Sequence, residues 1–205
     1  VGAFPELYEE VDRMLTPKQN MLEVIKGGNP DRFVNQYEAV QLLFHPFMFA
    51  NPLLEPGQEN VVNAWGVTNT FPKGVPGSFP VHTPDKIVVK DIEDWQDYVH
   101  APSLKFTQDQ WDMVKAQYDA VDGEQAFKAA FVAPGLFEQT HHLCEISNAL
   151  VYYITNPDEM HDLIKYLTEW ELELAEGICS NLHPDAIFHH DDWGGLDSIY
   201  ESGNV

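Results

Sequence analysis

The stretch from 156 to 192 reads NPDEMHDLIKYLTEWELELAEGICSNLHPDAIFHHDD. Apolar residues recur in its first part at spacings of three and four, which predicts one long amphipathic helix that begins at Pro157. Pro184 ends this pattern, and the short apolar run 186–188 predicts a buried strand. Polar residues 189–192 follow directly, at the carboxyl end of the strand.

The sequence before this stretch has the same alternation. Residues 127–132 predict a strand, and residues 143–154 predict a helix that ends before Pro157. A strand, helix and strand with polar residues at the strand ends are typical of a parallel α/β sheet. In barrels of this type the chemistry lies at the carboxyl ends of the strands. The polar segments 138–142 and 189–192 are therefore the first candidates for a functional site.

The amino-terminal half is less regular. Pro17 after a capping threonine predicts a first helix. Residues 33–40 have strand character, although 41–49 is apolar enough for a helix. Residues 50–84 are rich in proline and glycine and predict a long irregular segment with a possible hairpin, and a loop of this length is usually functional. A further helix is expected over 107–121. We treat 1–205 as a single domain.

The composition excludes several classes of function. The chain has 205 residues, with 33 acidic and 11 basic ones, and a net charge of −22. Such a surface repels phosphate backbones and anionic lipids, so we expect neither nucleic-acid nor membrane binding. The two cysteines, Cys144 and Cys179, form no CxxC pair and are expected to be buried. With no long apolar stretch and no basic leader at the first residues, a cytoplasmic protein is the expectation.

Four short motifs follow one another in a specific order. They are the helix start and Asn-Pro-Asp-Arg turn within 16–32, the Ile-Glu-Asp-Trp turn at 92–95, the Asn-Pro-Asp-Glu-Met helix start at 156–160, and the Asp-Asp-Trp-Gly strand end at 191–194. In this order they resemble the uroporphyrinogen decarboxylase superfamily. The resemblance implies a (β/α)8 TIM barrel. It also implies either tetrapyrrole decarboxylation or methyl exchange with a corrinoid.

This sequence differs from the decarboxylases of the superfamily at two places, and both differences favour the methyltransferase branch. The decarboxylases carry an arginine pair after the first strand, and residues 33–38 contain no arginine. They also carry an aspartate that binds the pyrrole NH groups, where this chain has Asn63. The resemblance therefore implies a methyltransferase or O-demethylase component that works with a corrinoid protein or a small-molecule methyl donor or acceptor. A tetrapyrrole decarboxylase is the first alternative, and a non-catalytic binding or assembly subunit is the second.

The resemblance covers only the amino-terminal portion of such a barrel, because a complete one takes about 250 residues. The zinc ligands of the methyltransferases, a His-x-Cys and a distant Cys, are implied for the second half. Corrinoid (methylcobalamin) and zinc are thus expected of a full-length homologue, and whether this chain alone is an enzyme stays open. Because an incomplete barrel leaves strand edges bare, we expect a dimer or a partner chain that completes the barrel.

The candidate site combines the two polar segments with the irregular segment. A carboxylate near an imidazole can form an acid–base pair, and Glu138 precedes two histidines by three and four residues, the spacing of one helical face. The predicted catalytic residues are His142, Asp191 and Asp192. The predicted substrate-binding residues are Asn63, Trp65, His82, Glu138, His141 and His190. No metal site is predicted. The competing interpretations are a solvated loop for 138–142, a polar strand end for 189–192, a core anchor for Trp65 and a surface position for His82.

Overall fold

The computed structural model describes residues 14–51 and 53–192, and for Ala50 the backbone alone. The Trp-Gly half of the fourth motif lies outside these residues. The helices are α1 (Pro17–Lys26), α2 (Gln36–Ala39), α3 (Pro46–Ala50), α4 (Gln108–Asp119), α5 (Leu136–Cys144), α6 (Ile146–Thr155) and α7 (Pro157–Leu182), with one 3-10 turn at Trp95–Asp97. The strands are β1 (Val40–Leu43), β2 (Val61–Val62), β3 (Thr68–Thr70), β4 (Phe79–Pro80), β5 (Phe127–Val132) and β6 (Ala186–His189).

A three-stranded parallel sheet in the order β1-β5-β6 organises the fold. Val40 of β1 pairs with Phe127 of β5, and Ala129 of β5 pairs with Ala186 of β6. The predicted mixed α/β class and its parallel sheet are confirmed. Among the described residues the sheet is open, with β1 and β6 at its edges.

The irregular segment contains the predicted hairpin and one strand more. Strands β2, β3 and β4 form a small antiparallel sheet. Its first turn depends on Asn63, whose side-chain oxygen accepts hydrogen bonds from the backbone N–H of Trp65 and of Val67. Gly66 follows with φ of 81°, a left-handed conformation that glycine adopts without steric cost.

Helix α7 connects two hydrophobic clusters. In one, β1 and β5 pack against α4 and α7, and in the other, α5, α6 and α7 pack against the loop around the 3-10 turn. Trp170 contacts both clusters and packs edge to face on Phe47 and on Trp65, with ring centroids 4.9 and 5.0 Å apart. The interpretation of Trp65 as a core anchor is therefore correct, since 5% of it is exposed.

Several predicted boundaries were wrong. The strand expected over 33–40 is a capped helical turn, α2, followed by β1, because Asn35 and Glu38 form a reciprocal capping box. The helix expected over 143–154 is two helices that meet at Glu145, with φ of 73°. Consequently 138–142 lies in α5 and is not a loop. The strand expected to be buried at 186–188 is an exposed edge, and Cys179 is exposed whereas Cys144 is buried.

Among residues 14–51 and 53–192, no helix combines the length and the apolar character needed to cross a membrane.

Candidate functional site

Asp191 joins the end of β6 to the start of α5. Its carboxylate oxygens accept hydrogen bonds from the backbone N–H of Phe137 (3.0 Å) and of Glu138 (2.8 Å). Both N–H groups belong to the first turn of α5, where the helix itself offers no acceptor, and Gly135 at the N-cap has no side chain to accept them. A Cβ on Gly135 would lie 2.5 Å from Asp191, so glycine permits the approach. The catalytic role predicted for Asp191 stays a prediction, and its observed contacts are those of a helix cap.

The same helix start brings Glu138 to His190. Their side chains share a hydrogen bond of 3.2 Å, while His142, one turn along α5, lies 3.7 Å from the other Glu138 oxygen. Burial raises the pKa of Glu138, although His190 partly opposes this effect. A raised pKa makes a carboxyl group better able to hold a proton, and a neighbouring imidazole can exchange that proton with it. We call Glu138, His142 and His190 the mouth cluster.

Two further histidines surround this cluster. The ring of His141 packs edge to face on that of His142, with centroids 4.8 Å apart, and the Nε2 of His82 lies 3.3 Å from the His142 carbonyl oxygen. Burial lowers the pKa of His142 to about 3 and also lowers the pKa of His141. His142 is therefore neutral at pH 7, and its contact with Glu138 is not an ion pair there.

The remaining predicted residues lie in different places. Asp192 is exposed beside Asp191, and its backbone N–H donates to the Asp191 carboxylate. Asn63 and Trp65 do not belong to the mouth cluster but line a separate pocket. Seven of the nine predicted residues, Glu138, His141, His142, His190, Asp191, Asp192 and His82, are thus brought together at the carboxyl ends of β5 and β6.

The separate pocket lies between the carboxyl ends of β1 and β5 and helix α7; we call it the inner pocket. Its walls are Phe47, Trp65 and Trp170, and its polar lining includes His45, Gln139 and Glu171. The centre of a water molecule can occupy about 20 Å³ of this pocket. The total empty volume, including the part that opens to solvent, is about 450 Å³. Burial raises the pKa of Glu171, which hydrogen-bonds His189 over 3.0 Å.

Sequence reasoning named Asn63 and Trp65 as substrate-binding but missed His45 and Gln139, which line the same inner pocket. His45 follows an apolar run and precedes Pro46, a context that indicates burial but not what the side chain faces. Gln139 stands beside Glu138, in a segment for which a helical face and a solvated loop were both open interpretations. Sequence reasoning also overlooked a His-x-Cys spacing at His142 and Cys144. On α5 this spacing makes no joint site, because Cys144 lies in the apolar core, where burial raises the pKa of its thiol to about 12.

Within the described part of the chain, no group of three or more His, Cys, Asp or Glu side chains is placed to hold a metal ion. Compared with known protein families, with curated proteins and with solved structures, the chain matches none of them. The function is therefore argued from the site itself and from the sequence motifs.

Proposed function

We propose that this chain forms the first three strands, with the helices between them, of a uroporphyrinogen-decarboxylase-like TIM barrel and acts in methyl transfer or O-demethylation of a small substrate. The single observation that carries the proposal is the position of the mouth cluster. It lies at the carboxyl ends of two adjacent parallel strands, where barrel enzymes place their chemistry. The motif order and the parallel sheet β1-β5-β6 support the same proposal.

The described residues do not fit a resident zinc ion. His142 and Cys144 have the His-x-Cys spacing, but Cys144 lies in the apolar core, and among the described residues no third His, Cys, Asp or Glu is placed to complete a metal site with them. The inner pocket, with about 20 Å³ for water centres, is also far too small for a corrin ring, so cobalamin can bind this chain only at its outer surface. We therefore derive no step through either group and assign to this chain only substrate binding and proton transfer.

Proton transfer at the mouth cluster follows from its geometry. When a nucleophile outside this chain bonds to the methyl carbon, the C–O or C–S bond breaks, its electron pair stays on the oxygen or sulfur atom, and that atom needs a proton. Glu138, with its raised pKa, is the donor, and His190 at 3.2 Å returns a proton to it. His142 is neutral and supplies a hydrogen bond without adding charge to the cluster.

Spectral titration of the purified chain with hydroxocobalamin and, separately, with uroporphyrin tests the proposal. We expect a saturable change of the cobalamin spectrum and none of the porphyrin spectrum. The Glu138→Gln variant should bind cobalamin like the wild type, but after addition of a partner fraction that supports turnover it should lose at least tenfold in rate. Glu169→Gln, on the exposed side of α7, is the matched control and should keep the wild-type rate.

The other outcomes separate the alternatives. Saturable binding of uroporphyrin alone would support the tetrapyrrole decarboxylase. Cobalamin binding with a Glu138→Gln rate equal to the wild type would remove the proton-transfer role and support a binding subunit. Binding of neither ligand would overturn the methyl-transfer proposal for this chain.

A further inference from the structure

The inner pocket contains two buried polar side chains that lack hydrogen-bond partners. His45 is 1% exposed and Gln139 is 4% exposed. Neither ring nitrogen of His45, nor the Nε2 of Gln139, has a partner of hydrogen-bond geometry among the described residues. The Phe131 carbonyl lies near enough to His45 to favour its protonation slightly, but it does not complete a hydrogen bond. Since buried polar groups are almost always satisfied, these atoms indicate an occupant.

The charges around the pocket disfavour an anionic occupant. Burial lowers the pKa of His45 to about 4, so its ring is neutral at pH 7. Gln139 carries no charge, and among the described lining residues Glu171 alone can be charged near pH 7. No lysine or arginine is among these described lining residues, so an anion would meet no counter-charge.

The hydrogen-bonding groups of Gln139 and His45 indicate which functional groups the bound molecule carries. The Nε2 of Gln139 is a donor, and a neutral imidazole offers one donor and one acceptor. A complementary molecule therefore presents an oxygen that accepts from Gln139 and an N–H or O–H that donates to His45. Phe47, Trp65 and Trp170 supply an apolar wall for its remaining atoms.

The volume of the inner pocket limits the size of the molecule that can bind there. About 20 Å³ open to water centres corresponds, once the radius of a water molecule is added, to a guest of about four heavy atoms. We propose that the inner pocket is a binding site for a small primary amide, whose carbonyl accepts from Gln139 and whose amino group donates to His45. The site lies between the carboxyl ends of β1 and β5 and helix α7, and this proposal does not depend on the proposed methyl transfer.

Acetamide is the probe, titrated into the full ¹⁵N-labelled chain and followed by NMR. The side-chain NH₂ signals of Gln139 and the indole signals of Trp65 and Trp170 report on the pocket. Because so few heavy atoms bind weakly, the titration covers the millimolar range. We expect saturable shifts of these signals. Acetone, which lacks the donor, should bind at least fivefold more weakly, and acetate should cause no saturable shift.

Two variants and one control complete the test. Gln139→Leu and His45→Phe should each weaken acetamide binding at least tenfold, and either one alone is sufficient if the other does not fold. His161→Phe, at a histidine that is 78% exposed on α7, should bind like the wild type. Shifts that never saturate would show that only water occupies the site and would overturn the proposal. Undiminished binding by a folded Gln139→Leu variant, or equal binding of acetate, would overturn it as well. Cobalamin is absent from this experiment, so its result is independent of the proposed function.

Discussion

At the scale of single residues, Asp191 caps a helix that begins more than fifty positions earlier in the chain. The hydrogen bond from the Phe137 N–H spans 54 residues. A side chain from the end of β6 thus fixes the start of α5, and with it the position of Glu138. The mouth cluster therefore depends on Asp191 even though the observed contacts of Asp191 are structural.

Asp191→Ala should lower the free energy of unfolding by about 1 kcal/mol, the usual cost of losing an N-cap. Asp191→Asn should lose less, because its amide oxygen still accepts a backbone hydrogen bond. Urea denaturation at pH 7 measures both values. Asp192→Ala is the control, since its side chain is exposed. Equal stability of Asp191→Ala and the wild type would contradict the capping role.

His45 makes stability depend on pH. Its pKa in the folded chain is about 4 against 6.5 for the free side chain, so between these values the unfolded chain binds more protons. Stability therefore falls as pH falls through this window, and the His45 contribution at pH 5 should be about 2 kcal/mol lower than at pH 8. Urea unfolding of His45→Leu at both pH values measures it, because the variant lacks this contribution.

Other titratable groups also make stability depend on pH, but their effects are the same in the wild type and in His45→Leu. Burial of His142 acts in the same direction as His45, and the raised pKa values of Glu138 and Glu171 act in the opposite direction. The difference between variant and wild type isolates His45. An identical pH dependence of the two proteins would show that His45 is not buried in its neutral form.

At the scale of elements, α1, α4 and β5 have local signals and agree with prediction, whereas the equally local capping box of α2 lies in a segment predicted as a strand. Helix α1 has a reciprocal capping box between Thr16 and Gln19, and α4 has another between Thr107 and Gln110. The strand predicted over 127–132 is β5 without a shift. These signals lie within a few residues of one another, so the sequence displays them directly. Helix α5 has no such signal, because its cap is remote.

Replacing Gly177 or Gly27 with alanine should change the stability of the chain in opposite directions. Gly177 lies inside α7, where a Cβ would meet the Trp111 ring at 3.4 Å, an ordinary contact. Gly177→Ala should therefore stabilise the chain by about 0.5–1 kcal/mol through its higher helix propensity. Gly27 ends α1 with φ of 67°, so Gly27→Ala should destabilise by about 1 kcal/mol. Thermal unfolding of the two variants gives the signs, and two changes of equal sign would contradict this account.

At the scale of the whole molecule, the net charge of −22 opposes the compact state. Raising sodium chloride from 0.1 to 1 M shortens the screening length from about 10 Å to about 3 Å. We expect the unfolding midpoint to rise by about 2–4 °C for each ~1 kcal/mol of repulsion removed. Potassium chloride should give the same rise. A midpoint that stays constant or falls with salt would show that self-repulsion is unimportant.

We expect the bare edges of the β1-β5-β6 sheet to bind a second copy of this chain or a partner chain. β1 and β6 have bare edges among the described residues, and Phe188 on β6 is 40% exposed while its ring stacks on Phe131. We expect sedimentation to show a species of about twice 23.3 kDa or a complex with a partner chain. Phe188→Glu should weaken that association, whereas Leu172→Glu, at a 64% exposed position on α7, should not. A monodisperse monomer would contradict the expectation.

Local patterns in the sequence specify the α/β class, the region where polar groups meet and five main elements, namely α1, α4, α7, β5 and β6, because periodicity, capping and turn residues act over a few positions. Which groups touch depends on tertiary packing. It placed the Asp191 carboxylate on the start of α5, separated Asn63 and Trp65 from the mouth cluster, and buried His45 and Gln139 in one pocket. These outcomes arise from the parallel pairing of β1, β5 and β6 and from the packing of α7, which join residues far apart in the chain and leave no local pattern.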